Sequence, residues 1–546
     1  MITTPVRAAL ATALLATAAP MATANETAMP SGAHLAMRIA VAGEVGAEGA
    51  VAAFYGARRF EPLWLTNDAA GRARLEALLR ALDDAPAHGL PRERFDPDAI
   101  LLTLAAPMGR AARGRADVEI TETFLAYATS LTSGVTRPRE IDPVVMPRDV
   151  EGPDPARLLA AMERGDPVAL LRSLVPTTPE YGRLMIHKRR LEAAVASGGW
   201  GARVPEARLE PGDEGASVVA LRDRLQAQGY LDRTPTAAYD AEIEAGVSRA
   251  QAAMGLPVDG VAGPRTIAAL NVSAVRRLEQ VTIAMERERW MPEGRGEGRE
   301  IWVNLPAFET VVLDDGIETF RTVSVIGKAE DGRYTPEFSD EMDHMVVNPT
   351  WYVPRTIAVR DYLPRLKANP YAASYMRITD SRGREVDRTR GFSRYTARTF
   401  PFSMRQPPGP RNALGFVKFM FPNEHAIYLH DSPAKHLYDE EVRAFSSGCV
   451  RLAEPFEFAY HLLARQSDDP KGLFDGILRR KAERRIDLED PVPVHLVYRT
   501  AFTDARGGLH FRDDVYGRDA AVLAALRAAG VRIGPVPTRW IAGLDR

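Results

Sequence analysis

The chain has 546 residues, a formal net charge of -2 and a single cysteine. At roughly 150 residues per domain this length implies three or four domains, and 45% hydrophobic with 26% charged residues excludes a wholly disordered chain. The near-zero charge gives no electrostatic footing for nucleic-acid binding, and one cysteine excludes an internal disulfide or a cysteine-rich zinc or iron–sulfur site.

Arg7 precedes an alanine-rich apolar run, Ala8 to Ala19, followed by Pro20 and the small-residue triplet Ala22-Thr23-Ala24. This reads as a signal peptide over residues 1–24, so the protein is expected to be exported. No later stretch approaches the ~20 apolar residues of a membrane span. A lone thiol in an exported protein either pairs with another chain or stays reactive for a reason.

Residues 35–195 read as a helical scaffold. Leu75, Leu78, Leu79 and Leu82 mark one helix face, which Asn67 or Asp68 caps, and Ile120, Phe124, Tyr127 and Leu131 mark another. Residues 209–270 read as three short helices: Val218, Leu221 and Leu225 form one stripe, and Asp240 caps a second helix ended by Gly255. The phrases "VVALRDRLQAQGYL" and "AQAAMGLPVDGVAGPRTIAALN" resemble the small peptidoglycan-binding domain appended to cell-wall enzymes. A three-helix spacer is the plain alternative. Residues 294–298 read as a linker, since their glycines do not have nucleotide-loop spacing.

After the linker the pattern turns to period two. Strands are expected at Ile301 to Leu305, Thr310 to Leu313, Phe320 to Ile326, His344 to Val347, Phe416 to Phe419, Ala426 to Leu429, Val492 to Tyr498 and Leu509 to Arg512. The polar, arginine-rich stretch of residues 360–400 is too long for an ordinary loop, so it reads as an insertion or small subdomain.

The cysteine sits in Phe445-Ser446-Ser447-Gly448-Cys449-Val450-Arg451. Gly448 permits a turn closed to most residues, and amides beside such a turn suit an oxyanion. The Arg451 cation favours thiolate over thiol and suits a substrate carboxylate. His430, at the end of a strand candidate, is placed to take the thiol proton and form a thiolate–imidazolium pair. A buried, inert cysteine is the bland alternative. His425, His430 and His436 match no zinc spacing, so no metal is expected.

The segment "IYLHDSPAKHLYDEEVRAFSSGCVRL", in which His430 precedes Cys449 by 19 residues, resembles the active-site signature of the L,D-transpeptidases, the YkuD-type catalytic domain. That family often has His directly before the Gly; here Ser447 stands there, which resembles the large multidomain periplasmic members. "NPTWYVPRTI", "RQPPGPRNALG", "FYGARRFEPLW" and "VHLVYRTAFTD" match the same subgroup. The resemblance implies a multidomain protein. A helical scaffold and a three-helix peptidoglycan-binding domain precede a mainly-β catalytic domain over residues 300–500, with a capping insertion near 360–400 and a C-terminal extension over 501–546.

By the same resemblance, Cys449 is the nucleophile and His430 the general base and acid. Backbone amides around Ser447, Gly448 and Cys449 form the oxyanion site. Arg451 and Tyr428 orient substrate, though Arg451 reads equally well as a structural ion-pair partner. The implied reaction joins peptidoglycan stem peptides through a thioester into 3→3 crosslinks, in the periplasm, with no cofactor, and carbapenems acylate the same thiol. Water as acceptor makes a hydrolase, a protein lysine makes an anchoring enzyme, and a non-catalytic wall-binding protein is the reading of a different class.

Overall fold

A computed structural model describes residues 31–292, 295–330 and 332–534. The expected signal peptide and residues 535–546 of the C-terminal extension lie outside the described residues, as does Gly294 of the linker. Among the described residues no helix is long and apolar enough to cross a membrane.

The N-terminal region is helical, as its periodicity requires. Asp68 caps the helix Ala69–Asp83 through the Gly71 amide, and Leu78 and Leu82 are buried on one face. In the helix Arg110–Ser133, Ile120, Phe124, Tyr127 and Leu131 all face the same core. That helix also buries Asp117, whose carboxylate accepts the backbone amides of Leu63 at 2.7 Å, Trp64 at 2.8 Å and Leu65 at 2.7 Å, and the Tyr55 hydroxyl at 2.7 Å. One buried carboxylate with several donors thus fixes the Leu63-Trp64-Leu65 bend against the bundle.

The next unit has its own core, in which Val218, Leu221, Leu225, Ile243, Val247, Ile267 and Leu270 meet. Asp240 caps the helix Ala241–Met254, and Gly255 ends it in the left-handed conformation. A Cβ at Gly255 would lie 2.7 Å from Arg512 Cδ, so this unit docks closely on the C-terminal segment.

A helix the sequence reading did not expect follows, Ala274–Arg289, and nearly every residue on it is buried. Its charges are paired in place: Arg289 with Glu286 at 2.8 Å, Arg287 with Asp519 at 2.6 Å, and Glu288 with Arg499 at 2.6 Å. Its apolar stripe, Leu278, Val281 and Met285, is interleaved with arginines and glutamates that tertiary partners satisfy.

Among the described residues fourteen strands then follow. They are β1 (Arg299–Asn304), β2 (Glu309–Asp314), β3 (Ile317–Gly327), β4 (Phe338–Val347), β5 (Trp351–Tyr352), β6 (Arg377–Thr379), β7 (Ser403–Gln406), β8 (Val417–Met420), β9 (Leu429–His430), β10 (Ala444–Ser446), β11 (Val450–Leu452), β12 (Arg484–Val497), β13 (Ala501–Thr503) and β14 (Leu509–Phe511). The main sheet runs β10-β3-β11-β9-β8-β4-β12-β1-β2, and a further β2–β3 pairing closes it into a barrel. Ile301, Val417, Phe419, Leu429, Val450, Leu452 and Val494 fill its interior.

The expected strand at Ala426 to Leu429 is shorter than its apolar run. The Asn423 side chain ties the preceding loop, donating to the Phe421 carbonyl at 2.6 Å and the Ile427 carbonyl at 2.8 Å. Pairing with β8 therefore begins only at Leu429.

Two other segments differ in extent or setting from the sequence reading. The polar stretch of residues 360–400 belongs to a wider unit built on the sheet β5-β7-β6, whose core runs from Trp351 through Leu363, Phe392, Phe400 and Met404 to Leu414. The segment after residue 500 folds back. Ala501 and Phe511 pack with Tyr181, Leu278 and Met285, and the helix Arg518–Ala528 packs Val522 and Leu526 against Met146 and Ile283.

Candidate active site

Strand register assembles the site. Parallel pairing sets Val450 opposite Leu429 and Arg451 opposite His430; antiparallel pairing sets Lys418 opposite His430. The Val450 amide donates to the Tyr428 carbonyl at 3.1 Å, which extends the β9–β11 register back to Cys449. Side chains alternate along strands. Since Leu429 and Val450 fill the barrel, Lys418, Tyr428, His430, Cys449 and Arg451 share its outer face.

The turn before Cys449 is pinned at several points. Gly448 has φ +122°, and a Cβ there would lie 3.0 Å from Ile427 Cδ1. Ser446 Oγ accepts the Gly448 amide at 3.0 Å and donates to the Cys449 carbonyl at 2.5 Å. Thr335 Oγ1 donates to the Gly448 carbonyl at 2.7 Å and accepts the Gly327 amide at 2.9 Å. The Gly448 amide, expected to face an oxyanion, is thus spent on Ser446 within the turn. The Ser447 and Cys449 amides remain as candidates.

His430 is buried, with Nδ1 2.5 Å from the Asp431 carbonyl oxygen. A carbonyl only accepts, so Nδ1 carries the hydrogen and Nε2 is left as the basic nitrogen. Burial, aided by the Arg451 cation, pushes the imidazole down to about 3. Asp431 is itself held: its carboxylate accepts Lys435 Nζ at 2.8 Å, the Ser432 amide at 2.7 Å and the Phe416 amide at 2.9 Å. Gly415 leaves room for it, since a Cβ there would lie 2.2 Å from Asp431 Oδ2.

Cys449 is half-buried, with Sγ 3.8 Å from the Ala426 carbonyl. Burial pushes its thiol up to about 11, although the Tyr428 amide and the Arg451 cation pull the other way. The sequence reading expected Arg451 to favour the thiolate; here desolvation outweighs it. Both shifts favour a neutral thiol and a neutral imidazole over an ion pair. Among the described residues Arg451 makes no ion pair with an acid, and its Nε is buried without a hydrogen-bond partner.

The 351–414 unit caps this face. Tyr428 packs on its core, where burial and the neighbouring Cys449 push its hydroxyl well above the usual tyrosine range while Trp351 pulls it down. A π-helical turn at Ala358–Tyr362 carries Arg360, whose Nη2 lies 3.4 Å from Ser447 Oγ. Asp361 pairs with Arg333 at 3.0 Å, tying the cap to the loop after β3. Lys418, Trp351, Arg360 and Thr335 were not singled out from sequence. Lys418 alternates with core residues on β8, which is a legible cue; the other three act through long-range contacts. His425 packs against Phe338 with ring centroids 5.0 Å apart, and His436 sits on the short helix Lys435–Tyr438.

Residues 298–486 match the family described as the L,D-transpeptidase catalytic domain. The chain carries an L,D-transpeptidase catalytic domain. Residues 214–270 match the family described as "Putative peptidoglycan binding domain", and residues 49–186 match the scaffold domain. A curated relative from Haemophilus influenzae, named "Putative L,D-transpeptidase", is 31% identical over 224 residues. That match spans 41% of this chain and 45% of the relative, so the chain spans under half the length of the curated relative it matches. Crystal structures of L,D-transpeptidases from Xylanimonas cellulosilytica and Stackebrandtia nassauensis are each 16% identical to this chain and cover 54% of it. The matches take in 98% and 97% of those chains, with TM-scores of 0.18 and 0.23.

Proposed function

We propose that this protein is an exported L,D-transpeptidase that makes 3→3 peptidoglycan crosslinks through a thioester on Cys449. The observation that carries the reading is the placement of His430 and Cys449 on one face of adjoining strands, with the basic imidazole nitrogen left free by the Asp431 carbonyl. His430 Nε2 takes the thiol proton as Sγ attacks the carbonyl between the third and fourth residues of a stem tetrapeptide. The C–N bond breaks, His430 returns the proton to the departing D-alanine amine, and a thioester remains. The side-chain amine of a second stem's diamino acid then attacks. Its proton passes through His430 to the sulfur as the C–S bond breaks. The Ser447 and Cys449 amides stabilise the oxyanion, Arg451 takes a substrate carboxylate, and Tyr428 orients the chain beneath the cap. Carbapenems acylate the same sulfur, and the peptidoglycan-binding segment raises the local substrate concentration.

The cap supports transfer over hydrolysis, because a thioester shielded from water survives until an amine arrives. The test is mass spectrometry of muropeptides after incubation with purified protein and tetrapeptide substrate. Expected are 3→3 dimers, free D-alanine and an acyl adduct on Cys449, all lost in Cys449→Ala. Tripeptides alone would make it a carboxypeptidase. No adduct and no D-alanine release would leave a wall-binding scaffold.

A further inference from the structure

Three neighbouring strands set one row of side chains across the outer face of the barrel. Pairing of β8 with β9 puts Lys418 opposite His430, and pairing of β9 with β11 puts Arg451 opposite the same histidine. The row reads Lys418, His430, Arg451, with the candidate base between two cations. With strands ~4.8 Å apart, the backbones at the two ends of the row are roughly 10 Å from each other. Lys418 belongs to the thiol's surroundings: its Nζ lies 5.8 Å from the Tyr428 ring centroid, and its charge acts on both Cys449 and His430.

Like charges this close on one sheet face repel each other. Other cations around the site have an acid at hand: Arg360 pairs with Asp361 at 3.1 Å, Arg333 with Asp361 at 3.0 Å and Lys435 with Asp431 at 2.8 Å. Among the described residues Lys418 and Arg451 form no such pair. Glu483, the acid whose charge reaches Lys418, instead accepts the Thr350 amide. The ionisable neighbours of Arg451 are Tyr438 and Cys449, both pushed towards their neutral forms by burial. Both cations are half-buried, so water compensates them only in part.

The two charges also oppose the proposed chemistry. Each disfavours a proton on His430, yet that base must accept one from Cys449. A ligand that brings an anion to each end of the row offsets the repulsion and eases that proton transfer together.

We propose that Lys418 is a specificity-determining residue that holds a second carboxylate of the acyl donor, distinct from the one at Arg451, so that the enzyme selects donors with a free carboxylate on each side of the bond it breaks. The proposal rests on the transpeptidase reading above. A span of roughly 10 Å is that of about three extended residues, so a stem peptide whose attacked carbonyl lies beside His430 reaches both ends of the row. The leaving residue brings one carboxylate at its terminus. The acyl part brings others, on the diamino acid and on the glutamate before it. With both cations neutralised by the donor, His430 takes the thiol proton only when a matching donor is in place.

The experiment measures binding of stem tetrapeptides by full-length Cys449→Ala protein, so it is independent of turnover. One probe has every carboxylate free; the others have a single carboxylate amidated, at the terminal alanine, the diamino acid or the glutamate. Amidating the terminal carboxylate, and amidating one carboxylate of the acyl part, are each expected to weaken binding about tenfold. Adding Lys418→Met should abolish one of these two losses, and adding Arg451→Gln the other. Lys418→Arg, which keeps the charge, should retain both. Equal affinity of the parent for all the probes would overturn the proposal without any further variant. So would a Lys418→Met protein that discriminates the probes as the parent does, or one and the same carboxylate accounting for both variants. Separately, wild-type protein that forms no acyl-enzyme with the unamidated tetrapeptide would overturn the transpeptidase reading itself.

Discussion

Alkylating agents react with thiolate, so their rate reports the ionisation of Cys449. With the thiol pushed up to about 11 by burial, alkylation should be slow at pH 7 and climb about tenfold per pH unit until near that value. Arg451 opposes the burial, so Arg451→Gln should move the profile to still higher pH. His430 is neutral at rest, held down near 3 by burial and by Arg451. His430→Gln should therefore barely move the alkylation profile, yet lower D-alanine release by about 10²–10⁴-fold, since proton transfer in the transition state is lost. A wild-type profile with its midpoint below pH 8 would show that an ion pair exists at rest after all. The neutral resting pair fits a nucleophile that ionises only as substrate binds and the proton has somewhere to go.

The turn carrying Cys449 is held by neighbouring elements as much as by its own glycine. Thr335, on the loop leading into β4, connects the Gly327 amide to the Gly448 carbonyl, and Arg518 of the C-terminal helix donates to the Thr335 carbonyl at 2.8 Å. Thr335→Val keeps the shape but leaves two buried backbone groups without partners, at about 1–3 kcal/mol each. Turnover should fall with little change in KM, while Thr335→Ser, which keeps the hydroxyl, should restore it. If both variants behave alike, the hydroxyl does not hold the turn. The cap makes a different contribution. Arg360→Ala removes its contact with Ser447, and product analysis should show a higher ratio of hydrolysis to crosslinking as water gains entry. An unchanged ratio would argue against the cap as a water shield.

Across the whole molecule, the helix Ala274–Arg289 joins scaffold, barrel and C-terminal segment by burying charges that need partners from all three. His88 belongs to this junction: it lies 3.1 Å from the Tyr181 hydroxyl, and burial, with Arg289 nearby, pushes it down to about 3. His430 is depressed to a similar value. Below the ordinary histidine pKa of ~6.5 the unfolded chain binds protons that these folded imidazoles refuse. Stability is therefore full above about pH 6.5 and falls with acid towards pH 3, by about 1.4 kcal/mol per pH unit for each histidine. Melting temperatures at pH 7 and pH 5 should differ clearly, and His88→Gln should narrow the gap. A gap of the same size in the variant would place the acid sensitivity elsewhere.

How much of this was legible follows from the range of each interaction. The helix stripes, the Asp68 and Asp240 caps and most barrel strands depend on neighbours a few residues away, so periodicity and capping residues declare them. The Cys449 and His430 pair was legible because both residues lie in one short segment, whose two ends become the parallel strands β9 and β11. The ionisation of that pair was not legible. It depends on how much protein surrounds the thiol, and counting the Arg451 charge without that burial gives the wrong direction. Nor were the Ala274–Arg289 helix, the Thr335–Gly448 contact or the return of the C-terminal segment. In each, groups far apart in the chain satisfy one another's charge or hydrogen bonds, and only the closed tertiary structure brings them within reach.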